Sequence, residues 1–127
     1  MITGANSGVG YETAKALAKC GVHVTMACRN QKRCDTAAEE IRAVSKDNGY
    51  DNEISTTIVD TSKLKSVYSF SKEFVSKHEN DDRALDMLYL NAGIGAKPHS
   101  QSPLSEDGIE FVFATNYVGH HLMHRLL

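Results

Sequence analysis

The sequence predicts an α/β fold built on a parallel sheet, and two observations carry that expectation. Short apolar runs rich in β-branched residues alternate with longer stretches of helical periodicity, the pattern of strands joined by crossover helices. A glycine-rich stretch, Thr3-Gly4-Ala5-Asn6-Ser7-Gly8-Val9-Gly10, lies between the first run and the first helical stretch, where such folds hold an anion at a helix N-terminus.

The elements follow in order. Met1-Ile2-Thr3 reads as the end of a strand. Gly8 or Val9 to about Cys20 predicts a helix with Ala14, Leu17 and Ala18 on one face and Gly21 as its stop. His23 to Cys28 (HVTMAC) is a second strand, and Lys32 to about Lys46 a second helix that presents Ala37, Ala38, Ile41 and Val44 together. After the polar turn DNGYDN, Ile54 to Val59 (ISTTIV) is a third strand. Ser62 is expected to cap a third helix carrying Val67, Phe70, Phe74 and Val75. The turn NDDR leads to a fourth strand, Leu85 to Leu90 (LDMLYL), and a loop from Asn91 to Leu104 holds Pro98 and Pro103. Ser105 with Asp107 then opens a fourth helix that runs to the C-terminus. The order is β-α-β-α-β-α-β-α, and right-handed crossovers make it one half of a doubly wound sheet. The first strand falls short of the ~5–6 residues of an ordinary strand, and no strand follows the last helix. Residues 1–127 are therefore expected to be a partial domain, truncated at both ends.

Composition narrows the class. At 41% hydrophobic and 24% charged residues, the chain has the balance of a soluble globular domain. A net charge of -2 and a pI near 6.3 give no pull towards nucleic acid or an anionic membrane. Cys20, Cys28 and Cys34 are odd in number and lack both a C-x-x-C pair and a disulfide-like framework. They read as small buried hydrophobes in a reduced, intracellular and cytoplasmic setting. There is no signal peptide and no apolar run of transmembrane length; association with a membrane through a segment outside the sequence is left open.

The glycine stretch needs its glycines for three reasons. One makes a tight turn, one lets the backbone approach a pyrophosphate, and one lets the helix pack closely on the strand. The N–H groups and dipole of the helix N-terminus then face the anion, with Asn6 and Ser7 able to add side-chain hydrogen bonds or stiffen the loop. The spacing is T-G-x-x-x-G-x-G. It differs from the G-x-G-x-x-G of other dinucleotide folds and from the G-x-x-x-x-G-K-[ST] of P-loop NTPases.

TGANSGVGYETAKALA, followed by the strand end ACRN, resembles the short-chain dehydrogenase/reductase family, in particular the branch of the retinol dehydrogenases and WW-domain-containing oxidoreductases. Val59-Asp60, Leu90-Asn91-Ala92-Gly93, and Ser105-Glu106-Asp107-Gly108-Ile109-Glu110 with Thr115-Asn116-Tyr117-Val118-Gly119-His120 continue the match in the right order. The resemblance implies a Rossmann-like sheet of strand order 3-2-1-4 and a nicotinamide dinucleotide held by Gly4, Ala5, Asn6, Ser7, Gly8, Val9 and Gly10. It further implies hydride transfer to or from a small lipophilic alcohol or carbonyl, retinoid- or steroid-like, and a homodimer packed through the fourth helix.

The second strand ends in Cys28-Arg29-Asn30, with no Asp or Glu. An acidic residue there would take the ribose hydroxyls of NAD, whereas an Arg accommodates the 2′-phosphate of NADP in bidentate fashion. NADP is thus favoured over NAD, and the resemblance assigns ACRN to that phosphate. Arg29 pairing with an acidic neighbour is the plain alternative. By resemblance Asp60 bonds the adenine, with Thr61 adjoining; Asp60-Thr61-Ser62 reads equally as a helix-capping cluster. By the same resemblance Asn91, Ala92 and Gly93 line the ribose and stabilise the central sheet; a simple strand-to-loop turn is the alternative.

The family's chemistry uses a Tyr as general acid/base, a Lys that lowers its pKa, a Ser that orients the substrate oxygen, and an Asn on the fourth helix that supports a water. Asn116 matches that Asn; an Asn bonded to local backbone is the alternative. The Ser and the Tyr-x-x-x-Lys pair are expected beyond Leu127. Tyr11 with Lys15, and Tyr68 with Lys72, have the spacing but share helix faces before any fifth strand, so neither is taken as the catalytic pair. His120, His121 and His124 lack the H-E-x-x-H pattern or a further ligand and are read as surface or core histidines, with no metal expected. A second function class also stands: a non-catalytic nucleotide-binding or interaction module, with Phe113, Val118 and Leu122 exposed on the fourth helix.

Overall fold

A computed structural model describes residues 1–79, 85–95 and 103–127. The chain divides into two units, Met1–Ile58 with Met87–Asn91, and Val59–Asp86 with Ala92–Leu127.

The first unit is a three-stranded parallel sheet with two helices. Its elements are β1 (Ile2–Thr3), α1 (Gly8–Ala18), β2 (Val24–Cys28), α2 (Gln31–Asp47) and β3 (Ile54–Ile58). The strand order β1-β2-β3 follows from registers of Ile2 opposite Met26 and of Val24 opposite Ile54. The expected fourth strand is reduced to one parallel bridge, Ile2 opposite Tyr89. Thr3 N donates to the Tyr89 carbonyl at 3.0 Å, and Tyr89 N donates to the Met1 carbonyl at 2.9 Å. The reason is geometric: β1 has two residues, so a neighbour on its open edge finds few ladder partners. The order 3-2-1 of the sheet is as expected, with Tyr89 lying on the side where a fourth strand belongs.

The core of this unit joins Ile2, Met26, Val24 and Ile54 of the sheet to Ala14 and Ala18 of α1 and Ala38 and Ile41 of α2. Small alanines on both helices let their backbones approach the sheet closely. Helix α2 departs in one position from the expected apolar face: Val44 is half-buried, while Ser45 is buried, its hydroxyl donating to the Ala18 carbonyl at 3.1 Å. Cys28 and Cys34 are buried as anticipated, but they are joined by a disulfide, with Cα atoms 6.0 Å apart. The sequence concealed this pairing because it arises from the strand–turn–helix path, which folds the first turn of α2 back over the end of β2. Cys20 is free and exposed.

The second unit holds α3 (Leu64–His78), a three-residue helical turn α4 (Phe111–Phe113), a π-helical segment Ala114–Val118 and α5 (Gly119–Leu126). Val67 and Phe70 of α3 and Ala114 and Met123 of the C-terminal helical run are buried. Gly119 presses directly on the loop at Thr61: a Cβ there would sit 1.9 Å from the Thr61 carbonyl oxygen. Two expectations are corrected here. Ser62 does not cap α3; Lys63 is the capping position without a side-chain bond, and Leu64 N donates instead to the Asp107 carboxylate at 2.9 Å. The fourth helix does not begin at Ser105. Residues Ser105 to Ile109 form a turn closed by Ser105 N on the Ile109 carbonyl at 2.7 Å, and Gly108 takes φ +73°, which an L-residue adopts at a cost. The helix starts after Glu110, whose carboxylate accepts from Val112 N and Phe113 N. The predicted turn at NDDR, and Pro98 within the predicted loop, lie outside the described residues. No helix among the described residues is long and apolar enough to cross a membrane.

Candidate functional site

In the first unit the glycine stretch forms the turn that the spacing predicts. Gly4 and Gly8 take positive φ, +67° and +57°, which lets the chain reverse from β1 into α1 without Cβ strain. A Cβ on Gly8 would meet nothing within 4 Å, so the loop's outer backbone is open to an incoming group. Gly10 is different: a Cβ there would lie 2.5 Å from Asn91 Nδ2 and 2.6 Å from the Gly4 carbonyl oxygen. This is the close helix-to-strand approach required of the third glycine. Ser7, at the N-cap of α1, is extended and makes no side-chain cap, so its hydroxyl does not cover the first-turn N–H groups. Ala5 is fully buried in the core, so it contributes through its backbone, while Val9 is exposed.

Asn91 is a brace. Its Nδ2 donates to the Thr3 carbonyl at 2.9 Å and its backbone N donates to Thr3 Oγ1 at 2.9 Å. Thr3 in turn donates to the Tyr89 carbonyl. Thr3 opens the glycine motif but was not named as a site residue; its place directly before the glycines was the available signal.

Arg29 follows β2 directly and is exposed, as is Asn30. The Asn30 side chain accepts from Arg33 N at 3.0 Å and so caps α2. Lys32 and Arg33, in the first turn of α2, line a cavity of about 390 Å³ with Asn6, Ser7, Tyr11 and Thr36, and Glu40 sets one carboxylate against these two cations. These two cations were not singled out from sequence; their position one helical turn after Arg29 was the signal.

In the second unit Asp60 Oδ1 accepts from Ser62 N at 3.0 Å and from Ser62 Oγ at 2.7 Å, and Asp60 N donates to Ser66 Oγ at 3.0 Å. Asp60 and Ser62 thus bond each other in the turn before α3 rather than cap the helix, whose first residue Leu64 is held by Asp107, so the helix-capping reading of this segment is not realised. Thr61 is buried. Asn116, inside the π segment, has both halves of its amide engaged by one residue: Oδ1 accepts from Ile94 N and Nδ2 donates to the Ile94 carbonyl, each at 2.9 Å. It thus fixes the chain directly after Ala92 and Gly93. The Asn116 carbonyl is 3.2 Å from Nδ1 of buried His120. Burial lowers the pKa of His120, a larger effect than the backbone bond that raises it.

The three histidines diverge. His120 is buried, His121 stacks on Tyr117 with ring centroids 6.2 Å apart, and His124 is exposed. The two Tyr–Lys pairs carry their lysines over the tyrosine rings, at 5.7 Å for Lys15 on Tyr11 and 5.3 Å for Lys72 on Tyr68. The Tyr11 hydroxyl donates to Glu40, and that bond, with burial and the same charge, raises its pKa. An acid/base tyrosine needs the opposite shift.

A profile of the family described as short chain dehydrogenase matches residues 1–127. The chain belongs to the short-chain dehydrogenase family. Retinol dehydrogenase 13 of Homo sapiens is 35% identical over the whole of this short-chain dehydrogenase sequence, which covers 35% of that protein. The WW domain-containing oxidoreductase of Pongo abelii is 36% identical, again over the whole chain, which covers 28% of it. The chain thus spans about a third of the length of these curated relatives. Among solved structures, an alcohol dehydrogenase from the archaeon Thermococcus sibiricus complexed with 5-hydroxy-NADP has a TM-score of 0.74 at 28% identity, with 98% of this chain and 49% of that one covered. A metagenomic short-chain oxidoreductase in complex with NADP has a TM-score of 0.77 at 22% identity, with 99% and 52% covered.

Proposed function

We propose that this chain is the NADP-binding portion of a short-chain oxidoreductase that moves a hydride between NADP(H) and a lipophilic alcohol or carbonyl, retinoid- or steroid-like. The observation that carries the reading is the glycine turn ending in an uncapped helix N-terminus, with Arg29 exposed at the end of β2 and no carboxylate in the same turn. The fit is physical. Gly8 leaves the backbone open, Gly10 lets α1 reach the strand ends, and Lys32 and Arg33 add positive charge beside Asn6 and Ser7. Bound nicotinamide supplies or accepts the hydride. The chain's own part is to hold the dinucleotide: Gly4 to Gly10 offer backbone N–H groups, Arg29 and Asn30 take the 2′-phosphate, and Asn91 keeps the loop in register with β1. The roles of Asp60, Thr61, Ala92, Gly93 and Asn116 rest on the motif match. The names of the retinol dehydrogenase relatives support the substrate class, and the NADP complexes among the structural relatives support the cofactor.

Titration of the purified chain with NADP and NAD tests this. NADP is expected to bind more tightly. Arg29→Ala is expected to weaken NADP about tenfold or more, the worth of a charge-assisted phosphate contact, and to leave NAD nearly unchanged. Tighter binding of NAD, or an Arg29→Ala variant with unaltered NADP affinity, refutes the assignment. A second reading, an interaction module without catalysis, is favoured by one observation: Phe113 and Tyr117 are 52% and 59% exposed and stacked at 5.2 Å. The expected exposure of Val118 and Leu122 is corrected, since both are half-buried.

A further inference from the structure

We propose that Cys28 and Cys34 form a reversible thiol–disulfide pair that closes the turn bearing Arg29 and Asn30 and tightens its hold on a phosphate, the ligand half resting on the NADP reading above. The bond links the last residue of β2 to the first turn of α2. It encloses five residues, Arg29 to Arg33, all exposed, of which Arg29, Lys32 and Arg33 are cations. The Asn30 cap on Arg33 N closes the same turn from within, so backbone, cap and bridge act on one short segment. Both redox forms have a place in the fold. The Cys34 sulfur lies 3.5 Å from the Met26 carbonyl oxygen, which gives a reduced thiol a hydrogen-bond acceptor. The sulfurs are buried, but they adjoin an exposed turn at a helix end, and helix ends open at a small fraction of the global unfolding free energy.

The chemistry balances with a low-molecular-weight disulfide such as glutathione disulfide. One cysteine thiolate attacks it and expels a thiolate, and the second cysteine then displaces the other half. The pair loses two electrons and two protons, and two equivalents of glutathione thiol are formed. An excess of thiol reverses both steps. In the closed form Arg29 and Asn30 are held before the ligand arrives, so less ordering cost falls on binding.

The experiment uses the full chain carrying Cys20→Ser, which removes the exposed third thiol. The protein is equilibrated in glutathione buffers of graded ratio, free thiols are alkylated, and tryptic peptides 20–29 and 34–42 are examined by mass spectrometry for a link. Amide exchange over residues 29–34 and titration with NADP and NAD are measured at both ends of the series. The expected results are a linked pair under oxidising buffer that opens under excess thiol without denaturant, slower exchange in the linked form, and NADP affinity about threefold higher than in the reduced form. Cys34→Ser should stay at the reduced value throughout. Thiols alkylated at every ratio, a link that opens only in denaturant, or equal exchange in both forms would overturn the pair as a switch. If neither nucleotide binds in either form, the NADP reading fails and the ligand half with it, while the peptide link and the exchange rates still decide the pair itself.

Discussion

Two glycines that carry the same chemistry do different work, and only one of them could be found by spacing. Gly10 belongs to a motif, so the close approach to Gly4 and Asn91 was legible before any coordinates. Gly119 meets Thr61, far away in sequence, and nothing in the letters around it marks that contact. Because the obstacle is a backbone carbonyl, Gly119→Ala is expected to destabilise the chain by about 3 kcal/mol or more, read as a lowered midpoint in urea. A variant with the parent's midpoint would mean that the loop at Thr61 yields freely. His120 gives a residue-scale pH effect. Its folded pKa lies below the ordinary 6.5 because burial disfavours the cation. The unfolded chain therefore binds the proton more readily, and the stability contributed by neutral His120 is complete above pH 6.5 and declines as pH falls through that value. Unfolding free energy measured between pH 8 and 5 should fall less steeply in His120→Gln than in the parent; matching slopes would remove His120 from the account.

At the scale of elements, the helices and strands of the first unit were readable because each has its own period and its own stop signal. Helix α1 starts at a glycine turn, and β2 and β3 are β-branched. The failures share one cause, that the deciding partner is remote. The α3 N-terminus is satisfied by Asp107, so the hydroxyl beside it, Ser62, was free to join Asp60 instead. The start of the last helix moved because Glu110 caps Val112 and Phe113 more directly than Ser105 could. Widening of that helix into a π segment leaves no trace in apolar spacing; such segments are frequent at functional positions, and this one carries Asn116. Asp107→Ala is expected to cost about 1 kcal/mol, as loss of a helix cap does, and to speed amide exchange at Leu64. Asp107→Asn should recover most of that loss, since the amide oxygen can still accept; no effect from either would show that water caps α3 equally well.

At the scale of the molecule, the family and the alternating α/β architecture were legible from four motifs in order, while the fourth strand was overestimated because a ladder needs two sides and β1 offers two residues. The glycine turn was legible from spacing, and Asn91 and Asn116 were named from their motifs, but the backbone each one braces, at Thr3 and at Ile94, was not legible because it lies elsewhere in the sequence. The purified chain is expected to bind NADP yet to show no hydride transfer with retinoid or steroid alcohols. Its Tyr11 is bonded to Glu40 with a raised pKa, and its Tyr68 sits beneath Lys72. Reduced nicotinamide formed above the no-protein rate, and lost in Tyr68→Phe, would place the acid/base group within these residues after all.

The grip of Asn116 on Ile94 has a consequence for how this protein ages. One carboxamide faces one backbone residue, giving and receiving a single bond, so the side chain behaves as a substitute peptide group. Hydrolysis of that amide to a carboxylate, a common spontaneous change in stored protein, would exchange the donor for a second acceptor. The Ile94 carbonyl would then face negative charge, and a modification that adds about one mass unit and no bulk would release the chain after Gly93.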